Sequence, residues 1–240
     1  VLAAALLGSG LVAPADAPAE RREFYFTRAA YGGLGRGYRG YGSWTVDYPK
    51  ADRQFMIGVH RLARLLDASS EENPVRLDDP DLDRYPFLYA VEVGYMSLGE
   101  EEVRGLRRYL RAGGFLFVDD FWGSQEWEVF ESEIRRVLPG CEIVEMPLDH
   151  PLFHTYYSIK QILQVPNVYN ARIGRTWERD GHTAHCRGIF DERGRLMVLI
   201  NWNTDLGDAW EWADDPEYPL KYSAFAYEMG VNAILYAMSH

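Results

Sequence analysis

The run Gly113-Gly114-Phe115-Leu116-Phe117-Val118-Asp119-Asp120-Phe121-Trp122-Gly123 constrains the fold of this chain more than any other segment. Two glycines end the helical pattern before it, because the left-handed turn that closes a helix suits a residue without a Cβ. Four apolar residues follow without a polar break, the mark of a strand covered on both faces, as in parallel sheets. The run then closes on two carboxylates. In open α/β sheets ligands bind outside the carboxyl ends of the strands, so a site is expected there.

The flanking segments repeat this unit. Tyr85–Glu92 is a second near-continuous apolar run, ending in Glu92 and followed by Gly94. Ser97 with Glu100 reads as a capping box, opening a helix that extends through Arg111. A helix from about Ser124 to Leu138, stopped by Pro139-Gly140, leads to an alternating strand over Cys141–Met146. Upstream, Glu23–Arg28 reads as a first strand, followed by a Gly-rich loop to Gly42. A helix begins near Pro49 and runs to about Asp67, with Phe55, Val59, Leu62, Ala63 and Leu66 on one face. Pro74–Leu77 is a short strand. Alternation of this kind predicts a mainly parallel sheet with helices on both faces.

After residue 150 the texture changes. Residues 151–182 are aromatic and irregular. His185–Phe190 and Leu196–Trp202 flank Asp191-Glu192-Arg193-Gly194 and read as a β-hairpin. A loop rich in Trp and acids spans Asn203–Pro219, and Tyr222–Met238 forms a final amphipathic helix docked on the sheet. The expected organisation is one domain over 18–240, with β/α units in 23–150 and a hairpin extension, loop and helix in 151–240.

Composition narrows the partners. The net charge of −11 leaves no basic face for a phosphate backbone, which excludes nucleic acid as the partner. The 7 Trp, 16 Tyr and 11 Phe are expected chiefly in the core and its rim. Residues 1–12 are apolar and lead into Ala13-Pro14-Ala15-Asp16-Ala17-Pro18, where Ala15 and Ala17 fit a small-x-small cleavage site. Residues 1–17 therefore read as a signal-peptide remnant, with a product exported to the periplasm or cell envelope. The alternative is the tail of an upstream membrane anchor, since the run is too short to span a bilayer, which takes about 20 apolar residues. Cys141 and Cys186 match no metal spacing, and a bond between them is left open.

The strand ends deliver Arg28, Glu92, Asp119, Asp120, Asp149 and His150 toward one crevice. If the strand continues through Asp119-Asp120, the two side chains face opposite ways. One would then face the crevice and the other cap the helix near Ser124. Paired carboxylates share a proton, bind a divalent cation or activate water. Asp119, Asp120, Glu92 and His150 are accordingly the catalytic candidates, and Asp119 and Asp120 the metal candidates. The pairs His150/His154 and His182/His185 lack the context of a zinc site. The turn after Val118 offers no Ser or Cys, so it cannot act as a nucleophile elbow. No helix opens directly after Gly33-Leu34-Gly35 or Gly35-Arg36-Gly37, so no nucleotide cofactor is expected, and the loop reads as a lid. Candidate ligand-binding residues are Arg28, Tyr31, Trp44, Asp47 and Tyr48 around the first helix start, where Asp52 favours the helix terminus. Asp208 and Trp210 join them from the late loop, beside Asp205 and Trp212.

Arg28 with Tyr31, Trp44-x-x-Asp47-Tyr48-Pro49-x-Ala51-Asp52, Tyr85-Pro86-Phe87-Leu88-Tyr89, Gly113-Gly114 with Asp119-Asp120, Asp149-His150-Pro151-Leu152-Phe153 and Asp208-Ala209-Trp210 form a set. Together they resemble a bacterial domain-of-unknown-function family, DUF4159, over nearly everything from Phe24 to Met238. The resemblance implies a flavodoxin-like sheet similar to class I glutamine amidotransferases, and a cell-envelope setting. It implies no reaction. The amidotransferase Cys nucleophile would stand where this chain has Asp119 and Asp120, so that activity does not transfer. Three functions compete: binding of a small molecule or envelope protein in the crevice; hydrolysis through Asp119 or Asp120 with Glu92 or His150 as acid/base, with or without a divalent cation; and a structural role in an envelope complex.

Overall fold

Strand burial decides the architecture. The computed structural model of the chain describes residues 22–33, 42–64 and 66–240. Its strands are β1 (Thr27–Ala30), β2 (Asn73–Arg76), β3 (Phe87–Val91), β4 (Phe115–Asp119), β5 (Ile143–Glu145), β6 (His185–Phe190) and β7 (Leu196–Trp202). Its helices are α1 (Lys50–Leu62), α2 (Glu100–Arg111), α3 (Gly123–Val137), α4 (Val168–Arg172), α5 (Leu206–Glu211) and α6 (Leu220–Ser239). Every residue of β3 and β4 is buried. These two strands therefore take the middle of a seven-stranded sheet ordered β2-β1-β3-β4-β7-β6-β5. The pairs from β2 through to β7 are parallel, and β6 joins β7 and β5 antiparallel.

Period-two alternation splits the apolar side chains between two cores. Phe87, Tyr89, Val91, Phe115 and Phe117 pack with residues of α1, α5 and α6, whereas Leu88, Ala90, Leu116 and Val118 pack with α2 and α3. The first core is an aromatic stack in which Trp210 lies 4.2 Å from Phe55 between ring centroids. Each fully buried ring contributes about 1.5–3 kcal/mol. Aromatics dominate this core, which buries thirteen Phe, Tyr and Trp side chains.

Several expectations are corrected. The hairpin is not an extension: β7 enters the main sheet beside β4, because Leu196–Ile200 are buried on both faces and need two covered sides. The strand expected over Cys141–Met146 shrinks to β5 and pairs only with β6, at the edge, where its half-exposed residues belong. The first strand starts at Thr27, and Phe24 makes only an isolated bridge to Ala68. Ser97 and Glu100 form no capping box; at the start of α2, Glu102 Oε2 accepts from Gly99 N at 2.8 Å, and glycine offers no side chain to complete a box. The loop over Asn203–Pro219 contains α5, six residues long and too short to show a helical period. Cys141 and Cys186 are free thiols. The expected signal segment at 1–17 and most of the expected lid, residues 34–41, lie outside the described residues. Among the described residues no helix is long and apolar enough to cross a membrane.

The connectivity also places a crevice. After β1 the chain steps outward to β2 and then returns to the other side of β1 for β3. α1 belongs to one core and α2 to the other, so the connections leaving β1 and β3 diverge. Such a reversal is where open α/β sheets receive ligands.

Candidate functional site

Carboxylates converge on that crevice from four connections. Asp47 comes from the segment before α1, Glu92 follows β3, Asp119 and Asp120 end β4, and Asp205 and Asp208 lie at the start of α5. Asp47, Asp205 and Asp208 each present an oxygen within 4.8 Å of the others. Among the described residues the non-glycine positions with positive φ are Asp47 (61°), Glu92 (58°), Asp120 (49°), Arg179 (50°) and Asn203 (60°). All five belong to the loops of this end of the sheet. Left-handed backbone costs a residue with a Cβ about 1 kcal/mol or more, and such strain gathers where function requires a geometry.

The αL turn at Asp120 separates the two neighbouring acids by role. Asp119 ends its strand on the aromatic side and is spent on hydrogen bonds. It accepts from Tyr89 Oη (3.0 Å), Leu206 N (3.0 Å) and Gly207 N (2.9 Å), tying β4 to the start of α5. Burial raises its carboxyl to about 7 against these donors. Asp120 accepts from Trp122 Nε1 at 2.9 Å. Burial, and then the charges of Glu92, Asp47 and Asp119, push its carboxyl well above the usual range. Neither acid caps α3. Its first amides go instead to Asn203 Oδ1 (2.8 Å) and Asp180 Oδ1 (3.0 Å), while Glu126 Oε2 accepts from Trp122 N (2.5 Å).

Asp205 caps α5 by accepting from Asp208 N at 2.7 Å, and Asp208 Oδ2 accepts from Val168 N at 2.5 Å. Asp47 Oδ2 is different. It is sealed from solvent and accepts no hydrogen bond among the described residues. Gly207 permits its approach, since a Cβ there would sit 2.7 Å from both Asp47 Oδ2 and Tyr89 Oη. Burial pushes Asp47 and Asp205 well above the carboxylate range, helped by each other's neighbours Asp208 and Asp120 respectively. Burial also raises Asp208 to about 6, opposed by the bond from Val168. Glu92 rises to about 8 through burial and then the charges of Glu126 and Glu178.

Positive charge nearby is committed elsewhere. Arg28 is fully buried; its Nε and Nη2 donate to Asp52, and its Nη1 donates to Trp44 O and Val46 O, both at 3.0 Å. Tyr89 and Tyr48 cover its guanidinium, with ring centroids 4.9 and 5.6 Å away. Arg28 thus shapes the Trp44–Asp47 segment from beneath, and Asp52, in the first turn of α1, also holds this guanidinium. Arg179 pairs with Glu126 at 2.6 Å and donates to Tyr95 Oη at 2.5 Å.

The remaining candidates are dispersed. Tyr31 is buried and donates to Val91 O at 2.5 Å. Half-buried Trp44 and Tyr48 lie 6.0 Å apart at the rim. Trp210 sits in the aromatic core. His150 is at the opposite end of the sheet, packed on Phe190 (5.6 Å) and Tyr236 (5.7 Å), because the chain doubles back after β5. Glu126, Glu178, Arg179 and Asn203 also shape the site and escaped sequence reasoning. Of these only Asn203 carried a signal, an αL-tolerant residue directly after a strand.

Comparison with known proteins agrees with this geometry in extent. A search of curated proteins finds no match. The family model for the domain of unknown function DUF4159 matches residues 26–238, which includes every strand and all the carboxylates described above. The chain belongs to the DUF4159 family.

Proposed function

We propose that this domain is an exported, envelope-associated binding module that holds a small molecule rich in hydroxyl or amino groups in the crevice between β1 and β3. The observation that carries it is the gathering of all five left-handed non-glycine residues around buried, mutually repelling carboxylates. Donors on a ligand would favour the ionised, acceptor-only form of these raised carboxyls, so the complementary ligand is rich in donors. Phosphates and other anions are disfavoured by the same charge. Half-buried Trp44, Tyr48 and Tyr95 supply flat faces at the rim, a common partner for sugar rings. The flavodoxin-like, amidotransferase-like fold belongs to this proposal too. It is supported by the parallel order β2-β1-β3-β4-β7 and by the placement of Asp119-Asp120 at the turn after β4. Export is supported by the small-x-small pattern at Ala15 and Ala17.

Thermal-shift titration of the full chain with amino sugars, polyamines and neutral sugars tests this reading, with nucleotides as the anionic control. Bound ligand stabilises by RT ln(1 + [L]/Kd), so donor-rich compounds raise the melting temperature and Asp120→Asn removes the shift. A shift caused only by nucleotides, or one indifferent to Asp120→Asn, contradicts it.

A second reading is hydrolysis, favoured by Glu92. With its carboxyl raised to about 8, Glu92 holds a proton at neutral pH and suits a general acid. Glycoside or ester turnover lost in Glu92→Gln would support it. His150, at the far end of the sheet, does not share this site.

A further inference from the structure

We propose that Asp47, Asp205 and Asp208 form a divalent-cation site, and that a hard, oxygen-seeking ion completes the floor of the crevice. The inference rests on the crevice being the binding site, and it adds an ion that the binding reading does not require. Three acids together are not by themselves a site. The further observation is Asp47 Oδ2, solvent-sealed, without a hydrogen-bond partner among the described residues, and held over Gly207 beside Asp205. A buried unpaired oxygen of this kind is costly, more so when charged, unless something binds it.

The chemistry of the donors is specific. Asp205 gives one oxygen to a backbone N–H and leaves the other without a backbone donor, while Asp208 accepts from Val168 N and also shares side-chain hydrogen bonds with Glu211 and Trp212. All three residues present oxygen and no nitrogen or sulfur, the ligand set of Ca²⁺, Mg²⁺ or Mn²⁺ rather than zinc or copper. The three oxygens lie within 4.8 Å of one another, close enough for one divalent ion to touch them all. Waters or ligand hydroxyls supply the other positions.

The backbone supports the arrangement. Arg28 fixes Trp44 O and Val46 O, the residues leading into Asp47, and Asp119 fixes the amides of Leu206 and Gly207 between Asp205 and Asp208. The ligands are therefore held from both sides before any ion arrives, which reduces the ordering cost of binding.

Isothermal titration calorimetry of the chelator-treated full chain with CaCl₂, MgCl₂ and MnCl₂ at pH 8, in excess KCl, tests the proposal. The expected result is one saturable site for a divalent cation, Ca²⁺ included. Asp47→Asn and Asp205→Asn should each weaken Ca²⁺ binding at least about tenfold, since site affinity follows ligand charge. Asn tolerates the left-handed backbone at 47 and keeps the helix cap at 205, so both variants should fold, which unfolding curves verify. Glu101→Gln, an exposed acid on α2, serves as the control and should bind as the parent does. Absence of saturable binding, or binding unchanged in both Asn variants, overturns the cation site. The binding reading then stands or falls separately on the donor-rich compounds, repeated in chelator.

Discussion

Two buried polar centres lie side by side beneath the crevice and handle charge in opposite ways. In one, Arg28 and Asp52 neutralise each other, with side-chain exposures of 0% and 3%, and the remaining guanidinium donors reach main-chain carbonyls. In the other, Asp47, Asp120, Asp205 and Asp208 crowd together, and the arginines nearby are already paired. Burying charge is tolerable when it is matched and hydrogen-bonded, and costly otherwise. The first centre is therefore a piece of scaffolding, whereas the second is stored cost. On the proposed reading, a bound ligand or ion relieves that cost.

The largest effect should come from breaking the balanced centre. Arg28→Met leaves Asp52 buried without its partner and is expected to destabilise the chain by about 3–5 kcal/mol in urea unfolding. A loss under about 1 kcal/mol would show that the pair is not structural. Next comes the acid that the two centres share as a brace. Asp119→Ala frees the amides of Leu206 and Gly207 and the hydroxyl of Tyr89, and is expected to cost about 2–3 kcal/mol. If Asp119 were chiefly a repelled charge, its removal would stabilise the chain instead.

Titration sharpens the contrast further. Glu92 rises to about 8 in the folded chain and Asp119 to about 7, both above their unfolded values. Between the unfolded and folded values the native state binds more protons than the unfolded one. Their contribution to stability is then fully present below about pH 4 and is lost as pH rises through about 7 to 8. Urea midpoints of the metal-free chain should fall from pH 5.5 to pH 8.5. A midpoint that climbs over this window would contradict the unbalanced state of the crevice.

The two centres also differ in how far they were legible. The apolar runs before Glu92 and Asp119-Asp120 announced buried strands and acids at their ends, because a strand covered on both faces leaves no other pattern. The β6–β7 hairpin was legible for a similar reason, with a turn sequence between two apolar runs. Its place inside the sheet was not, since pairing partners distant in sequence leave no local trace. The division of labour between Asp119 and Asp120 was hidden by the αL turn at Asp120, which breaks the period-two rule at that residue. Glu178, Arg179 and Asp180 reach the site from a segment without period, so nothing in the linear pattern linked them to it. Arg28 read as a ligand-binding cation of the crevice, but its donors are absorbed by Asp52, 24 positions away, and by two main-chain carbonyls, which only folding reveals.

The account turns on the claim that the crevice gathers more carboxyl groups than the protein itself compensates, and one substitution tests this directly. Asp205→Asn keeps the cap on α5 while removing one charge. In chelator at pH 8, urea unfolding should find this variant more stable than the parent by about 1 kcal/mol, the worth of roughly one pKa unit of relieved repulsion. A variant less stable than the parent by that amount would show that Asp205 is already compensated within the fold, and the central claim would fail.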